Sequence, residues 1–278
     1  MNKSKLISAV ATVALLLTYA VATDTTMSVT VGNEAPAVGT ITISPDELDL
    51  TACGTAYLTC TAAVTDSGGH ADISGGTHTA ALVLEGSQES PDYTNSSCTY
   101  KDCTGNTCNL ECVFGVDYYK DETTTGECNI TLTDVGGLYG TNNTNIVDVN
   151  KLLAHTLANT PILFGNLNPG TTDNPAQEGN GQPINQTNCG NVEIDAQLSG
   201  TDLVGESDDA WIIAAGNVTY YGSDDAGSSV ALTGTPATLE LDTSEQSTGQ
   251  IWNWIDIPTP LYAQAYSGNY TVTAAESV

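Results

Sequence analysis

Apolar and polar residues alternate along most of this chain, with the two-residue period of a β-strand. Leu58, Cys60, Ala62 and Val64 occupy every second position, as do Cys128, Ile130 and Leu132. Residues two apart share one face of a strand. Val, Ile and Thr fill these runs while Gly, Asn, Asp and Ser cluster between them, the mark of strands joined by short turns. The predicted strands are 38–44, 56–65, 77–85, 109–118, 126–133 and 143–149, then 162–166, 192–199, 210–221, 229–232, 237–241, 251–257 and 269–274. One helix-like stretch, 149–157, falls between the two sets. The pattern predicts an all-β chain of two β-sandwiches in tandem. The first covers 33–150 with a polar, cysteine-rich insertion at 86–108, a linker covers 151–160, and the second sandwich covers 161–278.

The N-terminus reads differently. Lys3 and Lys5 precede an apolar stretch, residues 6–22, that ends in Ala20-Val21-Ala22. A basic start, an apolar middle and a small-x-small end predict a secretory signal peptide over 1–22 and an extracellular or cell-surface destination. The rival is a retained helix, for which 17 apolar residues is the lower limit of a bilayer span. Residues 23–32 are then expected as an N-terminal strand with Met27, Val29 and Val31 on one face, before Gly32-Asn33 interrupts it. Such a strand either folds back as the edge of its own domain or is donated to the next copy of the chain. In donation, main-chain hydrogen bonds supply affinity and alternate side chains fill pockets.

Charge narrows the partners. The chain has five lysines, no arginine and 33 acidic residues, a net charge of −28 that loss of Lys3 and Lys5 takes to −30. Such a surface repels phosphate backbones and anionic lipid, which excludes nucleic acid as a partner. Its self-repulsion is tolerated in salt or relieved by bound cations. Salt adaptation accounts for most of the acids, and metal binding for a few that cluster. Eight cysteines behind an export signal predict disulfides. Seven lie in the first domain, so complete pairing within one chain requires Cys189 to bridge the domains.

An internal match ties these threads together. Cys60 to Gly69 and Cys128 to Gly137 both read Cys, four strand residues, then Thr-Asp-x-Gly-Gly. In an immunoglobulin-like sandwich the second and sixth strands lie in opposite sheets and run the same way, so Cys60 and Cys128 would face each other at one height and pair. The alternative is a coincidence between two Thr-rich strands. The fold expected is therefore two immunoglobulin-like β-sandwich domains in tandem after the signal segment. The same topology gathers Glu34, Asp66, Asp72 and Asp134 at one pole, a carboxylate set suited to Ca²⁺. Equally, Asp66 and Asp134 end their strands by hydrogen-bonding their own loops.

Other features carry less. Sequons fall at Asn95, Asn129, Asn142, Asn185, Asn217 and Asn269, with Asn129 on the outward face of its strand. His70, His78 and His155 form no zinc spacing. There is no nucleophile elbow and no phosphate-binding glycine loop, and the acid pairs Asp208-Asp209 and Asp224-Asp225 read as turns, so nothing indicates an enzyme. Trp252 and Trp254 share a face that is either core or interface, or an exposed platform for glycans.

Several segments carry a family resemblance. Val31-Gly32-Asn33-Glu34-Ala35-Pro36 followed by Thr65 to Ile73, and Cys112 to Tyr119, resemble immunoglobulin- or PKD-like surface domains of archaeal exported proteins. Phe164 to Gly170 and Cys189 to Asp195 are similar to segments of β-sandwich filament subunits, including the TasA-like group. The resemblance implies a structural subunit of an extracellular filament or cell-surface layer, a homopolymer that assembles head to tail, in some members by passing an N-terminal strand to a neighbour. The rival function is a secreted adhesin module that binds glycans or other surface proteins. Cys98, Cys103 and Cys108 depart from the family pattern.

Overall fold

The computed structural model describes residues 26–85 and 89–277. The expected signal peptide and residues 23–25 lie outside them. The chain divides into two compact units, Met1–Asn33 and Glu34–Val278.

Within the larger unit the first half holds strands β1 (Ala37–Ser44), β2 (Glu47–Leu48), β3 (Thr55–Thr65), β4 (Thr77–Val83), β5 (Tyr93–Asn95), β6 (Thr99–Thr104), β7 (Thr107–Asp117), β8 (Thr123–Thr133) and β9 (Tyr139–Val149), and a short helix α1 (His70–Gly75). They build two sheets, in the orders β1-β3-β7-β6 and β2-β9-β8-β4-β5. Every second residue of β3, from Ala56 to Val64, is buried, as are Cys108, Leu110, Cys112, Phe114 and Val116 of β7. Cys128, Ile130 and Leu132 of β8 meet them from the other sheet in one apolar core. Cys60 and Cys128 are bonded across that core.

The cysteine-rich segment is not an appendage to this sandwich. Its β5 extends one sheet beside β4 and its β6 extends the other beside β7. Disulfides Cys98–Cys112 and Cys103–Cys108 fasten it to β7. Too polar to be held by burial alone, it is held covalently.

The second half is also β throughout. Its strands are β10 (His155–Ala158), β11 (Asn174–Pro175), β12 (Gln177–Glu178), β13 (Gly181–Gln182), β14 (Ile184–Asn188), β15 (Ile194–Gly200), β16 (Leu203–Gly205), β17 (Ile212–Ile213), β18 (Val218–Tyr221), β19 (Val230–Ala231), β20 (Ala237–Thr243), β21 (Thr248–Ile255), β22 (Tyr266–Ser267) and β23 (Tyr270–Glu276). The main sheet runs β10-β14-β21-β18-β19, with β11 also on β21; a second runs β20-β15-β23, and smaller ones pair β17-β16-β22 and β12-β13. Ile184, Val218, Tyr220, Ile251 and Ile255 of the main sheet pack with Ala196, Leu198 and Leu239 of the second.

Four expectations are corrected. Residues 149–157 form no helix: β9 ends at Val149, and His155 opens β10, paired with Asn188 of β14. Leu152 packs on the first core and Leu157 on the second, so these apolar residues serve two cores and not one helical face. The linker expected at 151–160 is thus partly a strand of the second half. Residues 162–166 form no strand, and 210–221 is broken by a 3₁₀ turn at Ala215–Asn217.

The loop after β14 joins the halves. Cys189 is bonded to Cys53, and the Cys53 N–H donates to the Cys189 carbonyl. Asn191, 4% exposed, donates its amide to the carbonyls of Lys120 and Asn150 and accepts from the Leu152 N–H at 2.6 Å. A Cβ on Gly190 would stand 2.1 Å from the Leu152 carbonyl oxygen, so only glycine allows this approach. Asn191→Ala strands several buried polar groups at once. It should lower unfolding free energy by about 1–3 kcal/mol, read from denaturant midpoints with disulfides intact.

Candidate functional site

Asp66 and Asp134 follow the last residues of β3 and β8, and each ends its strand with a side-chain bond. The Gly68 N–H donates to Asp66 Oδ1 at 2.6 Å, and the Leu138 N–H donates to Asp134 Oδ1 at 2.8 Å. The Val135 N–H donates to Asp72 Oδ1 at 3.2 Å, which ties α1 to the β8–β9 turn. An oxygen from each of the three carboxylates lies within 4.8 Å of the others, with Asp66 and Asp134 each 3% exposed and Asp72 half-buried. The loop-capping bonds and the clustering therefore coexist. At 4.8 Å two unit charges repel by roughly 3–4 kcal/mol at an effective dielectric constant of about 20.

Glu34 does not join this group and is exposed. Its strand begins at Ala37, after the buried Pro36, whose carbonyl stands so close to Gly140 that a Cβ there would meet it at 2.0 Å. Glu34 thus lies upstream of the point where the chain is fixed. Gly76 performs a similar close approach, since a Cβ on it would meet the Thr133 carbonyl oxygen at 1.9 Å. That approach seats α1, and Asp72 with it, against the end of β8. His78 stacks edge-on against Tyr100, and burial lowers its pKa.

Residues 26–36 form no strand. Met27, Val29 and Val31 are 96%, 86% and 85% exposed. In the larger unit β1 is the edge of its sheet. Asn142 donates its amide to the carbonyls of Val38 and Gly39 there, and a cavity of about 340 Å³ opens further along, lined by Ile41, Ile43, Asp46 and Thr144 among others.

The sequons divide. Asn269 is exposed in the turn before β23, whereas Asn95 and Asn142 donate their amide nitrogens to main-chain carbonyls. Asn129, Asn185 and Asn217 are half-buried. Trp254 is 4% exposed and Trp252 half-buried, with Pro175 of β11 paired opposite Trp254, so this face is no exposed platform. A partly exposed aromatic pair lies elsewhere: half-buried Trp211 stacks at 6.2 Å on Tyr262, which is 55% exposed. No strand periodicity relates these two residues, so the sequence carried no signal for them.

No protein-family profile matches the chain, and no curated protein does. Among solved structures, the chain is similar to the chaperone-tip adhesin complex of CFA/I fimbriae biogenesis, at 13% identity and TM-score 0.27, over 82% of this chain and 76% of that one. It is similar to the CsuC-CsuE chaperone-tip adhesion subunit complex of Acinetobacter baumannii, at 10% and 0.30, over 86% and 99%. It is also similar to the Yersinia pseudotuberculosis adhesin InvE, at 11% and 0.24, over 86% and 58%. Scores at this level assign neither family nor role.

Gly76→Ala should push α1 off the end of β8 and cost about 1–3 kcal/mol of stability. Gly105→Ala, whose added Cβ meets nothing within 4 Å, should cost less despite its positive φ. Parallel chemical-denaturation curves of the two variants test this ordering.

Proposed function

We propose that the chain is a structural, non-catalytic subunit of an extracellular filament or cell-surface layer, assembled from copies of itself head to tail. The observation that carries this reading is the state of the N-terminal segment. Three apolar side chains at alternate positions, Met27, Val29 and Val31, are more than four-fifths exposed in a stretch without strand pairing. Such a segment is a ready strand for another chain's sheet edge. The β1 edge beyond Asn142, with its neighbouring cavity, offers an acceptor of the matching kind. Donor and acceptor are different surfaces of the same chain, so the contact is head-to-tail, the kind that propagates a filament wherever its rotation does not close a ring. Four disulfides suit an oxidising exterior.

Deleting residues 23–31 while keeping the signal tests this directly. Donation predicts a secreted, folded chain that no longer polymerises, seen by electron microscopy of the cell surface and of the purified protein. Filaments indistinguishable from those of the full chain would refute it.

One observation favours a second reading, an adhesin that binds glycans or other surface proteins. The stack of half-buried Trp211 on exposed Tyr262 is a surface on which a sugar ring can lie. Under that reading Trp211→Ala abolishes surface binding, and the deletion leaves it intact.

A further inference from the structure

We propose that Asp66, Asp72 and Asp134 form a Ca²⁺ site at the pole of the first sandwich where the chain passes into β1. The three oxygens within 4.8 Å of one another match the spacing of ligands around a single ion, since Ca²⁺–oxygen distances of about 2.3–2.6 Å place two ligands no more than about 5 Å apart. A second and independent sign is Asp66 itself. The residue is 3% exposed, its Oδ1 is engaged by the Gly68 N–H, and its Oδ2 is buried without any hydrogen-bond partner. A buried carboxylate oxygen that receives no donor is costly to keep, and a cation satisfies it.

Lysines among the described residues pair with other carboxylates. The chain has no arginine, and these pairs are Lys101 with Glu111, Lys120 with Asp92 and Glu85, and Lys151 with Glu276. The donor set is oxygen alone, which selects a hard cation over zinc or copper. Half-buried Asp72 leaves a route from solvent. Main-chain carbonyls and water would complete the six to eight ligands Ca²⁺ takes. An ion here joins the loop after β3 to the turn after β8, the same two strands that Cys60–Cys128 bridges deeper in the core.

The test is thermal melting of the whole protein in Ca²⁺ against chelator at fixed ionic strength, with Mg²⁺ as a parallel arm. Ca²⁺ at one hundred times its Kd should raise Tm by roughly 5–10 °C. Calorimetric titration should show one saturable site, with a smaller effect of Mg²⁺. Asp66→Asn and Asp134→Asn retain an oxygen that accepts the Gly68 and Leu138 N–H, so the turns persist while a charge is lost. Each should melt in chelator at or above the wild-type temperature and show no Ca²⁺ increment. No rise in the wild-type protein would overturn the proposal, and needs no variant. So would an equal rise in Ca²⁺ and Mg²⁺ that survives both substitutions, which is surface screening.

Discussion

This chain has to fold almost without positive charge, and that scarcity shapes nearly every polar contact in it. Elsewhere a buried carboxylate meets an arginine or lysine; here it meets main-chain N–H groups. Asp195, 4% exposed, accepts from both Leu241 and Asp242 through one oxygen. Even Asp92, which does meet a lysine through Oδ1, turns its other oxygen to the Leu84 and Glu85 N–H groups. Hydrogen bonds to an ionised acceptor are among the stronger ones a protein makes. Neutral amides do the remaining cross-linking. Asn253 donates to the carbonyls of Gly181 and Ile251, and Asn188 to those of Val192 and Thr243.

Covalent bonds supply what ion pairs do not. One disulfide joins the sheets of the first sandwich, two hold its polar crossover, and one joins the halves. The junction combines both devices, since Cys53–Cys189 lies one residue from Gly190 and two from Asn191. The close backbone approach, the amide bridge and the covalent bond occupy a single short loop. That concentration explains why the two cores are distinct while residues 34–278 form one compact unit.

What the sequence revealed followed from where apolar periodicity is strict. β3, β7 and β8 were legible because each buries alternate residues against an opposing sheet. Asp66 and Asp134 were legible through the repeated Thr-Asp-x-Gly-Gly, which places matching loops at one pole, and Asp72 only as a further carboxylate just beyond the first copy. β14 was not, because its inward positions after Ile184 are Gln186 and Asn188, amides that mimic a polar loop. Residues 149–157 misled because Leu152 and Leu157 belong to different cores, and a helical spacing between them carries no common face. The cysteine-rich crossover was opaque because disulfides hold its short strands and hydrophobic patterning does not.

The Cys53–Cys189 bond has a mechanical meaning. It spans 136 residues and encloses β3 to β14. A pull applied between the N-terminal segment and the second half would run through β1 and β2 to Cys53, cross to Cys189, and continue toward β15. The enclosed strands would sit outside that path as a slack loop. Such tension would then be carried by a short covalent route, and most of the first sandwich would be shielded from being drawn open.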